Sequence, residues 1–334
     1  MSDVQGGTAD ACVAPHPPDP PSHRQADEKS AALALGALGI VYGDIGTSPL
    51  YTVRECFNGP HAVAVNEANL LGVASLIFWS LIIVVSTKYV GFILRADNRG
   101  EGGIFALLGL ILGAGSPLKP GLRSAVMVAA IFGASLLYGE GIITPSISVL
   151  SAIEGLEVAT EAAKPFIVPL TCMVLVGLFV VQRRGTGGVG RIFGPVMVVW
   201  FFTIAAAGSG AILQSPRILL ALNPLHAWEF FSVNRLHGFV ALGSVVLCIT
   251  GSEALYADLG HFGAKAIRRT WLGLACPALL LNYFGQCALL LDHPDAGFHP
   301  FYALVPSPAL YPMVALATIA AVIASQALIS GCFS

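Results

Sequence analysis

The chain has 334 residues, 55% of them hydrophobic and 11% charged, with a formal net charge of -2. Together with a mean hydropathy of +0.77, this balance excludes a soluble globular domain and gives no basic face for nucleic acid; it points to an all-α polytopic membrane protein. The seven cysteines are scattered without metal-ligand or redox spacing, so they read as small apolar residues and no transition-metal site is expected.

Residues 1–29 hold His, Pro, Asp and Ser with no apolar core, and read as a disordered tail rather than a cleaved leader. From residue 30 to 334 the chain reads as one transmembrane domain. Apolar runs long enough for a hydrocarbon core of roughly 30 Å lie near 31–57, 69–93, 123–152, 165–181, 192–213, 237–259, 271–291 and 310–334.

The first run is interrupted. Between Leu35 and Tyr51 it carries Gly36, Gly39, Gly43, Asp44, Gly46, Thr47, Ser48 and Pro49. A helix entering at Ala31 is expected to lose regular hydrogen bonding near Gly43 to Thr47 and to restart with Ser48 as N-cap and Pro49 as first helical residue. Irregular backbone at that depth is tolerated only where protein covers it or where it lines a watery cavity, so the break itself predicts a binding site. The plainer reading is a kinked packing helix with a glycine face, but packing glycines do not require Asp44.

Orientation follows from the basic residues. With the N-terminus in the cytoplasm, the spans put Arg24, Lys29, Arg95, Arg99, Lys119, Arg123, Arg183, Arg184, Arg191, Lys265, Arg268 and Arg269 inside, against Arg54, Lys164, Arg217 and Arg235 outside. The loop from Arg95 to Gly103 holds four charges and three glycines; it reads either as a solvated turn or as a cytoplasmic gate whose charges pair in one state and part in another. The 182–191 loop reads as a flexible basic anchor at the inner surface.

In the third run, Glu140, Thr144 and Ser148 stand at i, i+4 and i+8 and stack on one helix face. Pro145 cannot donate to the carbonyl of Gly141. A carboxylate, two hydroxyls and a freed carbonyl form an all-oxygen stripe that suits a hard cation. Glu154 lies about 21 Å further along the same helix and is expected at the outer surface. In the sixth run, Thr250 and Glu253 share a face with Gly251 loosening the helix between them, which reads as a second broken helix. The first and sixth spans would then open two five-helix inverted repeats, the pattern that marks a transporter's central site. Asp258 and His261 read as a solvated helix end. The eighth run ends while still apolar, so the expected fold is incomplete after about eight spans.

At these residues the chain resembles the Kup/HAK/KT potassium uptake permeases. The resemblance rests on Gly43 to Tyr51, Arg95 to Gly103, Tyr138 to Ser148 with the residues through Leu156, Thr250 to Gly263, and Leu281 to Gln286. It implies a LeuT-like inverted-repeat scaffold of twelve spans with broken helices 1 and 6 and a C-terminal cytoplasmic region, of which this chain would be the first part. It implies potassium import by proton symport at the cell (inner or plasma) membrane. Carried over by motif, Asp44, Tyr51, Thr144, Ser148, Thr250 and Glu253 are the expected potassium-binding residues, and Asp44, Glu140 and Glu253 the candidates for proton coupling. Many relatives have Asp where Glu140 stands.

The chemistry agrees with that assignment. A dehydrated potassium ion needs a cage of oxygen dipoles. Three acids gathered at mid-membrane cannot all carry charge cheaply, so one of them should be protonated in part of the cycle. The expected partners are potassium, protons and the lipid bilayer, with a homodimer allowed, no nucleic acid, and no cofactor beyond the transported ions. Two alternatives stand beside this reading: a sodium-coupled carrier of small organic solutes on the same scaffold, and an inactive fragment. An enzyme is the least supported class, since no nucleophile pair or phosphate loop is present.

Overall fold

The computed structural model of the chain describes residues 23–113, 118–182 and 190–333; the expected tail over 1–22 and most of the basic 182–191 loop lie outside the described residues. Helix α1 (His23–Ile40) begins inside the stretch expected to be a tail. Residues 24–29 are Arg, Gln, Ala, Asp, Glu and Lys, mostly strong helix formers, so the apolar run extends its helix backwards into polar sequence. The described residues are helical throughout, apart from turns and a single bridge between Asn98 and Glu101.

After α1 the chain turns at Val41 and Tyr42 and enters α2 (Gly43–Asn58), bent by 63° from the preceding helix. The break thus falls two residues earlier than expected, and Ser48 is no N-cap: it sits in a tight turn, Ser48–Leu50, within the second segment. The reason is local. Thr47 and Ser48 donate their hydroxyls to the carbonyl of Asp44, at 3.0 and 3.4 Å, and so belong to the turn that Asp44 opens.

Next come α3 (Glu67–Arg95), the short α4 (Ile104–Leu112), α5 (Pro120–Ala159), α6 (Glu161–Val180), α7 (Ile192–Gln214), α8 (Leu225–Ala257), α9 (Leu259–Asp292) and α10 (Ser307–Ile329). Seven of these, all but α4, are long and apolar enough to cross a bilayer, and the bent α1–α2 pair makes an eighth if it is one span. Several outrun their apolar cores. Helix α8 starts at Leu225 rather than near 237 and kinks at Arg235, because His226, Trp228, Glu229 and Asn234 are helical without being apolar.

Helix α9 lies along α7 and α10 along α5, with α1 against α7, α3 against α8, and α10 also touching α2. The α7–α9 crossing is tight: a Cβ on Gly208 or Gly285 would run into the other helix's backbone, the small-residue contact that membrane helices use to bring backbones together. Fully buried Trp200, Trp271, Tyr42 and Tyr283 fill the core between them. Helix α5 divides its faces, with Thr144, Ser148 and Ala152 inward and Val128, Ile131, Phe132 and Ile142 on the exterior.

The two ends of the bundle differ in charge. Arg268 donates to the carbonyl of Val90 at 3.0 Å, which places it at the Arg95 end of α3 with the other basic residues of that side. At the opposite end, Arg54 pairs with Glu154, Lys164 with Glu157 at 3.1 Å, and Arg217 with Glu67 at 3.7 Å. Glu154 is therefore an ion-pair partner of the segment that follows the first bend.

Candidate functional site

The site lies where the turn of α2 meets the interruption in α8. In α2, Asp44 occupies the first turn after the bend and is 5% exposed, and Tyr51 is 3% exposed. A carboxylate in a first turn faces unpaired backbone N–H groups, the favourable end of the helix dipole. Freed carbonyls of this segment are taken by side chains from distant helices. Trp200 of α7 donates its indole N–H to the carbonyl of Gly46 at 2.8 Å, and Gln286 of α9 donates to the carbonyl of Pro49 at 2.9 Å. Gln286 also donates to Asn282 Oδ1 at 2.8 Å, and Asn282 to the carbonyl of Ile204 at 2.9 Å.

In α8, regular helix ends in a tight turn at Leu247–Ile249, and Gly251 takes φ +79° before a short helix resumes at Ala254. Gly251 is required twice over. Its backbone lies in the left-handed region, and a Cβ there would come within 2.6 Å of Asp44 Oδ2 and 2.9 Å of the amide nitrogen of Ile45. The two interruptions are thus pressed directly against each other.

All seven residues expected at the site converge here. Thr144 and Ser148 are buried on the inward face of α5, at 9% and 1% exposure. The Tyr51 hydroxyl donates to Ser48 Oγ at 3.3 Å and faces Ser148 and Thr250 beyond it. The carboxyls of Glu140 and Glu253 face each other, with the N–H of Gly251 directed at both. Two hollows border this cluster. One, of about 270 Å³, is lined by Asp44, Gly251 and Glu253 together with Ile93, Gly103 and Tyr256; the other, of about 360 Å³, is lined by Tyr51, Glu140, Thr144 and Thr250.

Among the described residues, three buried oxygens in this cluster, Asp44 Oδ2, Glu253 Oε1 and Ser148 Oγ, have no hydrogen-bond partner. Leaving a buried polar group unpaired costs about 1–3 kcal/mol and more for a charged one, so carboxyl oxygens so placed favour a cation or a proton beside them. Asp258 also lines the first hollow and lies 3.7 Å from the exposed His261.

Sequence reading passed over three contributors. Tyr89 of α3 lines the first hollow beside Ser252 and Glu253. Trp200 and Gln286 brace the turn of α2. Asn282 and Gln286, four apart in an otherwise apolar run, carried a visible signal: two amides on one face of a membrane helix need partners. Trp200 carried none, since an apolar span accommodates tryptophan for many reasons.

By class, this is a multi-pass helical membrane protein that buries a cluster of carboxylates and hydroxyls where two interrupted helices cross. The chain belongs to the family described as the K+ potassium transporter integral membrane domain, whose model matches residues 31–334. It is 68% identical over 302 residues to "Probable potassium transport system protein Kup 2" of Syntrophobacter fumaroxidans, covering 90% of this chain and 47% of that protein. It is 61% identical over 305 residues to the Kup protein of Azoarcus sp. (strain BH72), covering 91% of this chain and 47% of that one. With Kup 3 of Dechloromonas aromatica it shares 59% over 314 residues, 93% and 50% of the two chains. The chain spans about half the length of these curated relatives. No solved structure matches it.

Proposed function

We propose that this chain forms the part of a potassium uptake permease that binds potassium between α2, α5 and α8, and that import is driven by proton symport. The relatives above bear the name "Probable potassium transport system protein", and the observation that carries the reading is the trio of buried oxygens on Asp44, Ser148 and Glu253 that are unpartnered among the described residues. Asp44, Tyr51, Thr144, Ser148, Thr250 and Glu253 supply the oxygen cage that replaces the ion's water. Asp44, Glu140 and Glu253 carry one proton among them, because that many carboxylates at mid-membrane cannot all be charged cheaply.

On this reading the α1–α2 bend and the α8 interruption are the broken helices of spans 1 and 6 in a LeuT-like inverted-repeat scaffold, and access alternates as that pair rocks against the rest. The basic end of the bundle faces the cytoplasm, with the N-terminus, and the membrane is the cell's plasma or inner membrane. No cofactor enters beyond the transported ions, and a homodimer is an arrangement the reading allows.

The test is growth of a potassium-uptake-deficient bacterium at limiting potassium and mildly acidic pH, with rubidium uptake measured alongside. It compares this chain, the complete reading frame that contains it, and Asp44→Asn in each. Rescue by the complete frame and its loss in Asp44→Asn are expected. A well-expressed complete frame that neither rescues nor takes up rubidium overturns the potassium reading and brings a sodium-coupled organic-solute carrier forward; rescue by the frame alone identifies this chain as insufficient by itself.

A further inference from the structure

The loop between α3 and α4 exposes its charged side chains, Arg95, Asp97, Arg99 and Glu101, as a solvated turn would, but its backbone is ordered. Asn98 and Glu101 exchange backbone hydrogen bonds at 2.9 and 3.1 Å, and the two residues between them, Arg99 and Gly100, take φ +58° and +90°. This is the geometry of a two-residue hairpin turn, tightened by the N–H of Gly100 donating to Asp97 Oδ2 at 3.0 Å. No ion pair joins the charges of this hairpin, among the described residues, so charge pairing is not what holds it.

What holds it is a seat on α8 and the start of α9. The Tyr256 hydroxyl donates to the carbonyl of Ala96 at 2.6 Å. Gly102 lies so close to the carbonyl of Tyr256 that a Cβ could not fit, and such a Cβ would also stand 2.8 Å from Leu259 Cβ. In return, the Glu101 carboxyl rests on Gly260, where a Cβ would collide with it. Gly102 is therefore required on the hairpin side, whereas a side chain at Gly260 would meet only the flexible end of Glu101. Tyr256 stands three residues beyond Glu253, and the hollow lined by Asp44 and Glu253 is lined also by Gly103 and Ile104 from the hairpin side and by Tyr256 and Ala257 from α8.

We infer that the hairpin 96–103 is a latch: seated on Tyr256–Gly260, it fixes the segment carrying Glu253 and narrows the passage from the basic end to the site; unseated, it frees both. This rests on the transport reading, in which the basic end is a route for the ion. The latch acts through packing and one hydroxyl, so Tyr256, Gly102 and Gly260 are positioning residues and do not touch the ion.

The experiment uses the complete reading frame with its native cysteines replaced and one cysteine introduced at Ala327, which lines the same hollow. The rate of labelling by a membrane-impermeant methanethiosulfonate is read from each side of inverted and right-side-out vesicles, in parallel with rubidium uptake. Gly102→Ala and the milder Tyr256→Phe are each expected to speed labelling from the basic end about tenfold and to leave it unchanged from the other. Glu101→Cys with Gly260→Cys, oxidised to a disulfide, is expected to protect Ala327→Cys until a reductant is added. Labelling that ignores all three changes in well-folded protein overturns the latch. Labelling that responds while no variant or parent takes up rubidium upholds the latch and overturns the potassium reading instead.

Discussion

The two interruptions that meet at the site are built differently. The turn of α2, from Gly43 to Tyr51, is buried at every position and braced from outside: Trp200 on Gly46, Gln286 on Pro49, and the Tyr42 hydroxyl on the carbonyl of Ile267 just before it. The backbone of the interruption in α8 is stitched by its own short turns, with Ser252, Ala254 and Leu255 donating to carbonyls three residues back, and Glu253, Ala254 and Ala257 partly open; the Tyr256 hydroxyl ties it to the hairpin at Ala96. Its ends are two glycines at positive φ, Gly251 and Gly263, at +79° and +75°. A segment whose backbone bonds are local and whose tie to its surroundings is a hairpin that can unseat is free to turn as a unit, whereas a segment braced by α7 and α9 is not. The comparison assigns the fixed half of the site to α2 and the mobile half to α8.

The sharpest way to break this comparison is Gly251→Ala. The new methyl group would need a left-handed backbone, costing about 1–2 kcal/mol, and would displace the Asp44 carboxyl. A shift of about 1 Å at a binding centre can cost on the order of a hundredfold in rate, so rubidium uptake is expected to fall to background while the detergent-purified protein loses only a few degrees of melting temperature. Uptake within a factor of a few of the parent would mean that the two interruptions need not touch.

Removing a brace should act the other way round. Trp200→Phe keeps the aromatic volume in the core but strands the carbonyl of Gly46, at about 1–3 kcal/mol. The expected result is a clear drop in melting temperature with uptake reduced less than about tenfold, since one kcal/mol changes a rate several-fold at most. If uptake vanished while stability held, α2 would be a moving part and the assignment of roles would reverse.

Much of the site is legible in the amino-acid sequence because membrane burial makes polar residues conspicuous. Asp44, Glu140 and Glu253 stand out in apolar runs, and the spacing of Glu140, Thr144 and Ser148 gives one face. What stays illegible depends on contacts between distant spans. That Trp200 reaches Gly46, that Glu140 meets Glu253, and that Gly102 seats on Tyr256 follow from helix packing, which no periodicity encodes. The helix limits at Leu225 and His23 differ from expectation for a related reason: hydropathy reports where a helix meets lipid, and the backbone stays helical past that point if its residues permit.

The end of α2 offers a smaller test of how rigid the braced half is. Arg54 pairs with Glu154, and its guanidinium lies 5.5 Å from the centre of the Phe298 ring. Next to that ring, in the link between α9 and α10, His299 has a buried Nε2 with no partner among the described residues. Burial first, and the Arg54 charge second, lower its pKa from 6.5 to about 4. A histidine that stays neutral when folded binds its proton more readily when unfolded. Its contribution to stability is therefore present above pH 6.5 and is lost as pH falls towards 4. His299→Gln should remove that loss, flattening the decline in melting temperature between those two pH values by a few °C, the scale of about 1–2 kcal/mol once solvent screening at this part-open site is allowed for. If wild type and variant declined in parallel, His299 would already be open to protons in the folded protein, and the contact of Arg54 with Glu154 and Phe298 would be a loose end of α2 rather than its outer brace.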